Sequence, residues 1–455
     1  MQKPTARLVV LSAALVGAAC LGSACSTVII ERTPREDSPE PPSEEPESST
    51  CPAFDAALVP QGDDGIDVLD ATRGDDCWVT LAGAYFGAPS IGGVRMPHAT
   101  GWVGFAARLD PSGNATWTRA LEGTEHTWKD AAHVVRAAAN RVFIGGSSDG
   151  ALILGDGALL AGTGRYVLAV DEATGELAWA SRVSTWPRDI SFDNDKETTQ
   201  ASLWGVRDED LVEQEFEVTS GDLEIRVVGH GSLDLRATAS RAGRTALVLC
   251  SMSASSLGPF GLEPTDATPG TCDLVVALAE GEQITWARSF AEDGFQFSNA
   301  SVALDDDGSI TLVTDLAGAI DLGNGVALSR TPDPAHTGLL VASFAPDGAT
   351  RWGTAVGDAG WTMSLGAGCD EDGSVRVSGL FADGEIVEGP LSISATELSG
   401  FEARFGADGT PLALTALPNL DGYFTETSGA PLLAVRQLSD RGEDLGLHVE
   451  TASDP

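Results

Sequence analysis

The sequence predicts an all-β fold, a seven-bladed β-propeller over residues 51–455 whose closing blade is shared by the N- and C-terminal strands. Three observations predict it. Apolar residues alternate with polar ones on both sides of Gly-containing turns, which is the period of a strand and not of a helix. Two kinds of hairpin follow one another, so four strands recur about every sixty residues, the mark of a repeat architecture. The two ends each carry a hairpin whose companion is missing.

The chain starts with an export signal, residues 1–24. Lys3 and Arg7 precede the apolar run Leu8 to Ala19. A bilayer core of ~30 Å needs about 20 apolar residues, so this run is too short to span it and reads as a secretory signal. Gly17-Ala18-Ala19-Cys20 and Gly22-Ser23-Ala24-Cys25 both resemble a bacterial lipobox. Cys25 is the expected lipidation site, because a polar linker follows it; Cys20 is the alternative, and an ordinary secreted protein is the other reading. Residues 25–50 form the expected tether. Glu31 to Thr50 is packed with Pro, Ser and Glu and has no aromatic residue. Such a segment buries too little apolar surface to offset its ordering entropy, and its like charges extend it.

One hairpin type carries a Trp. Gly104 to Gly113 leads to Trp117, Tyr166 to Gly175 to Trp179, Leu274 to Gly281 to Trp286, and Leu339 to Gly348 to Trp352. Gly400 to Gly409 keeps the pattern with Ala413 in place of Trp. The step from the last apolar residue to that position is the same for Leu109–Trp117, Leu278–Trp286, Phe344–Trp352 and Phe405–Ala413, and one residue longer for Val170–Trp179. The Trp recurs at one place in the blade, which predicts packing between blades rather than a sugar platform.

The other hairpin type is clearest at Val302 to Val313, around Asp305-Asp306-Asp307-Gly308, and at Asp370 to Val377. Weaker copies run from Val68 to Leu81, His133 to Gly145 and Leu235 to Cys250. Residues 180–235 diverge, although Gln214–Val218 and Leu223–Val227 still read as a hairpin. At the ends, Phe54 to Leu58 with Gly62 mimics Phe401 to Phe405 with Gly409, while Val435 to Gly442 and Leu445 to Val449 read as a hairpin of the opposite type. An isolated four-stranded blade leaves open edges and an uncovered apolar face; a closed ring removes both.

This alternation resembles the bacterial β-propeller repeat family of exported proteins, with its FVAKLDPSGNxxW-like and VAVDxDGNVYVTG-like hairpins. The resemblance implies a propeller and an exported location, and carries over no catalytic residue. Val167 to Trp179, with Asp171, Thr174-Gly175 and Trp179, also resembles a quinoprotein-type repeat, shared by quinone-cofactor enzymes and a periplasmic assembly lipoprotein. Fold by itself does not fix function.

No catalytic set emerges. Gly146-Ser147-Ser148-Asp149-Gly150 matches G-x-S-x-G, but that elbow needs a following helix, and Ala151 to Leu154 reads as a strand. The six His are scattered without metal-ligand spacing; His126 beside Trp128 is the one to watch. Asp305 with Asp307, and Asp370 with Asp372, invite calcium, yet Ala303 and Gly368 stand where an EF-hand-like loop needs its first ligand, and Asp and Gly are also what a tight turn selects. No cofactor is expected, with calcium at these turns as the alternative, and no other metal site is expected.

Export permits disulfides. Cys250 and Cys272 lie in successive hairpins and could meet; Cys51 and Cys77 flank the first repeat; Cys369 is left over. A C-x-x-C redox motif is absent.

A formal charge of −40, with 67 Asp and Glu against 27 Lys and Arg, argues against nucleic acid, whose phosphates demand clustered cations. The acidic surface suits high ionic strength, or a basic partner. The expected function is an outer-membrane-anchored lipoprotein facing the periplasm or cell surface, acting as a binding or scaffold module for a protein or glycan of the envelope. The alternative is an extracellular enzyme with its site in the ring's mouth, glycan-acting through paired carboxylates or quinone-dependent.

Overall fold

Four-stranded antiparallel sheets follow one another along the computed structural model, and among the described residues there is no helix. The description covers strands from residue 54 to residue 449, short connecting stretches excepted, and most side chains between 65 and 416. The signal, the tether, Cys20, Cys25, Cys51 and His126 with Trp128 lie outside it.

Sheet A consists of Gly65–Arg73, Val79–Gly87, Ala99–Leu109 and Ala115–Gly123. Sheet B consists of Ala131–Ala138, Arg141–Ser148, Gly164–Asp171 and Leu177–Val183. Sheet C is Ile190–Phe192, Gln200–Arg207, Asp210–Glu217 and Leu223–His230. Sheet D is Leu233–Arg241, Arg244–Ser251, Asp273–Glu280 and Gln283–Phe290. Sheet E is Ala300–Leu304, Ile310–Leu316, Gly338–Phe344 and Thr350–Val356. Sheet F is Trp361–Cys369, Val375–Ala382, Ser399–Phe405 and Pro411–Leu417. Sheet G takes Leu420–Thr427, Ala430–Gln437 and Gly446–Val449 from the C-terminal part, then Phe54–Val59 from the N-terminal part.

The first strand of each sheet lies against the first strand of the next, and Leu420–Thr427 of sheet G lies against Gly65–Arg73 of sheet A. This is a propeller arrangement. Apolar clusters fill each gap between neighbouring sheets from A through F. The middle strands are therefore covered on both faces and do not alternate: Asp273–Glu280 is buried from Asp273 to Ala279, and Gly338–Phe344 throughout. Period-2 patterning survives where one side of a strand meets water, as in Leu391–Ala395.

The ends differ from the sequence expectation. Phe54–Val59 is the outermost strand of sheet G, antiparallel to Gly446–Val449 from Phe54↔Val449 to Ala57↔Gly446, and not the third strand of a hairpin. Three strands come from the C-terminal part and one from the N-terminal part, instead of two and two. The inner pair is Leu420–Thr427 with Ala430–Gln437, and only Val435 and Arg436 reach Gly446–Val449. The physical reason is register. The strand after Gly62 pairs with Val79–Gly87 and is thereby consumed as the first strand of sheet A.

The turns explain the Gly and Asp recurrences. Asp110 accepts from the N–H of Gly113 at 2.8 Å and donates its own N–H to Asn114 at 2.9 Å, and the same pair of bonds closes Asp305 to Ser309, Ala345 to Ala349, Asp370 to Ser374 and Gly406 to Thr410. The Gly sits in the left-handed region, at φ +81° for Gly113, Gly348 and Gly409. This is a type I turn closed by a glycine bulge. In sheet B the corresponding bond runs from Gly175 to Asp171, one residue wider, which accounts for the longer step to Trp179.

Trp117, Trp286 and Trp352 pack under the turn of the following sheet. Trp117 donates its indole N–H to Glu172 O at 3.0 Å, Trp286 to Pro346 O at 2.9 Å, and Trp352 to Ala407 O at 3.0 Å. The turn glycine permits this approach: a Cβ on Gly175, Gly348 or Gly409 would stand 2.7–2.8 Å from the indole beneath it. Arg119 adds two bonds to Gly175 O, and Asp70 reaches from sheet A to Val135 N and Arg136 of sheet B at 2.8 and 2.6 Å.

Candidate functional site

The acidic turns hold protein groups. Asp307 accepts from Ser309 N at 2.7 Å and pairs with Arg351 at 3.2 Å. Asp305 accepts from Asp306 N. Asp370 lies between Arg376 and Arg404, at 2.6 and 3.2 Å, and Asp372 accepts from Ser374 N and Arg404. These carboxylates thus face amides and guanidinium groups, and among the described residues no group of three or more His, Cys, Asp or Glu is placed to hold a metal ion. Turn chemistry accounts for the Asp-Gly pattern.

Hydrogen bonds from Ser374 hold the Asp372 carboxyl below its ordinary pKa. For Asp307, burial pushes upward, but Ser309 and Arg351 outweigh it and the pKa is again lowered. A depressed folded-state pKa adds stability that is present above the unfolded value and lost as pH falls through the folded one. Asp372→Asn is therefore expected to lower the melting temperature at neutral pH, with the gap to wild type closing as acid protonates the native carboxylate. A melting series against pH checks this; a gap constant with pH contradicts it.

Cys250, in the second strand of sheet D, and Cys272, just before the third, form a disulfide with Cα atoms 5.4 Å apart. Cys77 is also disulfide-bonded, and Cys51, the partner suggested for it, is outside the described residues. Cys369 Sγ lies 3.8 Å from the Thr311 hydroxyl. Of the remaining Trp, Trp78 lies under the Arg108 guanidinium, Trp102 meets Phe86 edge to face, and Trp204 is buried between sheets C and D.

The G-x-S-x-G segment ends the strand Arg141–Ser148 and is followed by a bend and the short strand Leu152–Leu154, so the elbow geometry is not met. It does line a cavity of about 380 Å³ at that end of sheet B. Ser147, Ser148, Thr163, Arg165, Arg182 and Ser184 face it. Ser147 Oγ is 3.0 Å from His133 Nε2. Arg182 donates to Ser148 Oγ and to the carbonyls of Gly150, Leu160, Ala161, Gly162 and Gly164, pinning the loop around it. Arg165 donates to Ser184 O at 2.8 Å. Burial pulls the pKa of both guanidinium groups down. Arg165, Arg182 and Asp149 line the cavity, and Asp130, which accepts from Asp149 N at 2.7 Å, also acts on the Arg182 charge.

Beside the cavity, the junction of sheets B and C differs from the other described junctions. In sheets A, B, D, E and F the link between the second and third strands carries a small hairpin: Ser90–Ile91 with Val94–Arg95, Leu152–Leu154 with Ala158–Leu160, Ser255–Leu257 with Phe260–Leu262, Ala319–Asp321 with Ala327–Ser329, and Gly384–Glu388 with Leu391–Ala395. Each hairpin buries apolar residues: Ile91, Leu152 and Leu154, Leu257 and Leu262, Ile320, and Ile386. Three also extend the outer strand of the preceding sheet, Leu152–Leu154 on Leu121–Gly123, Ser256–Leu257 on Gly229–His230, and Ser90–Ile91 on Leu58–Val59. Sheet C has none, because Arg207 pairs directly with Asp210 across a two-residue link. Ile225 and Val227, on its outer strand, stay 39% and 40% exposed. Ile284 on the outer strand of sheet D, beneath a hairpin, is 7% exposed. Sequence reasoning marked 180–235 as divergent without finding this gap; the signal available was the absence of residues between two adjacent strands.

No protein-family model matches the chain, and neither does any curated protein. Solved structures similar to it include the Dos1 propeller, at 9% identity over 87% of this chain and 81% of that one, with a TM-score of 0.47. Sqt1 from Chaetomium thermophilum is 12% identical over 90% of this chain and 100% of its own, with a TM-score of 0.45. BamB from Moraxella catarrhalis is 10% identical over 86% and 100%, with a TM-score of 0.40. The likeness is one of fold.

Proposed function

We propose that the chain is a seven-bladed β-propeller, closed by Phe54–Val59, that is lipid-anchored through Cys25 at the cell envelope and serves there as a binding or scaffold module. Its partner is a protein or glycan of the envelope, and the outer membrane is the expected anchor. The observation that carries this reading is the double attachment of the N-terminal strand: Phe54–Ala57 pairs with Gly446–Val449, and Leu58–Val59 pairs with Ser90–Ile91 of sheet A. Whatever holds residue 54 thus holds both the first and the last sheet. An extended tether from Cys25 reaches up to ~100 Å at about 3.3–3.6 Å per residue, enough to present the ring away from a membrane. Trp and Arg locks between sheets make a stiff platform, the condition for a preorganised binding surface.

Mass measurement of the mature N-terminus tests the anchor, with an acylated Cys25 expected. Cys25→Ser should move the protein from the membrane to the soluble fraction. Unmodified Cys20 and Cys25 would end the lipid reading. Crosslinking in intact envelopes should recover a defined partner, whereas turnover of a substrate by the isolated protein would favour the enzyme reading.

A further inference from the structure

We propose that Cys77 is one half of a covalent latch on the closing sheet, with Cys51 as its partner, and that oxidation of this pair keeps the N-terminal strand in the ring. The latch rests on the exported, tethered chain proposed above and adds a redox-sensitive switch at its point of attachment.

Cys77 is disulfide-bonded. Cys250 and Cys272 hold each other. Cys369 ends the first strand of sheet F beside Thr311 of sheet E, two junctions away from sheet A. The cysteines left, Cys20, Cys25 and Cys51, all precede Phe54. The bridge of Cys77 therefore joins sheet A to the chain before the closing strand, whichever of the three it uses. Removal of Cys20 with the signal and acylation of Cys25 leave Cys51.

The topology brings both partners to one rim. In a sheet of four successive antiparallel strands, the first and second are joined at the same rim as the third and fourth. Cys77 lies in the link between Gly65–Arg73 and Val79–Gly87, the first and second strands of sheet A. Phe54–Val59 takes the place of the fourth strand of sheet G, and its far end, Leu58–Val59, pairs with Ser90–Ile91, in the link between the second and third strands of sheet A. Phe54 thus starts at the rim that carries Cys77. Cys51 is three residues upstream, a reach of at most ~11 Å. The link around Cys77 is firmly held. Asp76 pairs with Arg108 at 2.9 Å, and the Trp78 ring lies under the same guanidinium, 5.0 Å away.

The seam is thin where the latch acts. Phe54–Ala57 makes four residue pairs with Gly446–Val449, which reaches the inner strands of sheet G through Val435 and Arg436. By contrast, Val375–Ala382 and Ser399–Phe405 of sheet F pair at seven positions. A pull on the chain before Phe54 loads those few pairs first. With the bridge closed, the load passes to the Asp76–Arg108 anchorage of sheet A and bypasses the strand. Sheets A to F keep the apolar clusters that fill their own gaps, so the seam opens as a local event, below the free energy of global unfolding. The urea midpoint of the whole chain is not expected to follow it.

Closure needs a disulfide-bearing oxidant. One cysteine thiolate attacks the oxidant's disulfide and releases a thiol, and the second thiolate displaces the other half from the mixed disulfide. Two cysteine thiols become one S–S bond, and the oxidant takes up both electrons and both protons as two thiols. A dithiol reductant reverses the exchange.

Peptide mapping of the mature chain without reductant tests the bridge: fragments holding Cys51 and Cys77 are expected as one species. Cys77 joined to another cysteine, or found as a thiol, overturns the proposal. Hydrogen exchange tests the latch. In Cys51→Ser, which leaves sheet A untouched, the amides of Phe54–Ala57 and Gly446–Val449 should exchange about tenfold faster than in the oxidised wild type, with those of Gly338–Phe344 unchanged. Cys77→Ser, its folding checked by circular dichroism, should give the same acceleration, and the double variant no more than either. Equal seam exchange in Cys51→Ser and wild type overturns the latch. Acceleration spread over all sheets also overturns it, since the bridge would then be a general staple. An acylated Cys25 beside an unbridged Cys77 sinks the latch and leaves the envelope role standing; a Cys51–Cys77 bridge with unmodified Cys25 does the reverse.

Discussion

Trp352→Ala is expected to cost about 3–5 kcal/mol of folding stability, the range for truncating a buried aromatic. Trp352 is 9% exposed, its ring centroid is 6.0 Å from that of Phe405 in the next sheet, and its indole N–H is bonded to Ala407 O. Removing the ring opens a cavity at the junction of sheets E and F and leaves the turn glycine without its contact. Gly409→Ala attacks the same lock from the other side. Its Cβ would meet the indole at 2.7 Å, and the backbone there, at φ +81°, disfavours any side chain. Because the two residues touch, their effects should not add. The double variant should cost less than the sum, since the new methyl finds the space the ring has left. Urea unfolding of the four proteins checks this, and simple additivity would contradict the packing. Ala413 occupies the corresponding place in sheet F, so Ala413→Ser is a control expected to change little.

The second large effect is expected from the disulfide of sheet D. Cys250 is 2% exposed and the bridge closes a loop with a sequence separation of 22. On the chain-entropy account a loop of that length is worth about 3 kcal/mol. Replacing both cysteines with Ser should lower the urea midpoint by the corresponding amount, with Ser in the apolar gap between sheets D and E adding to the loss. Reductant should move the wild-type midpoint toward that of the variant and leave the variant where it was. A wild-type midpoint indifferent to reductant would show that the bridge adds nothing.

Much of the architecture was readable because local chemistry and global fold agree. The turns announce themselves: Asp110, Asp305 and Asp370 cap the same bonds, and a glycine follows wherever φ must be positive. The Trp position was readable because its neighbours repeat, and one inserted residue at Asp171–Gly175 shifted Trp179 without disturbing the lock. The ends were read less well. Phe54 to Leu58 resembles a third strand in composition, but a strand with an apolar pattern serves equally as a third or a fourth, and only pairing with Gly446–Val449 distinguishes them. The Asp-rich turns were ambiguous for the same reason, since calcium loops and tight turns select the same residues. Arg351, Arg376 and Arg404, distant in sequence from Asp307 and Asp370, decide what those carboxylates meet.

Of the candidate site, the sequence singled out only Ser147, Ser148 and Asp149, through a G-x-S-x-G pattern whose elbow geometry is not met. Arg165, Arg182 and Ser184 lie in an ordinary blade pattern, and Ile225 and Val227 look like any strand's apolar side. Strand alternation, turn chemistry and the repeated Trp are short-range properties, so the sequence by itself determined an all-β repeat chain and where its hairpins turn. Which strand neighbours which at the ends, and which junction between sheets lacks a covering hairpin, depends on contacts between residues far apart. Those were decided only in the tertiary structure, because burial is a property of the assembled sheets and not of any one strand.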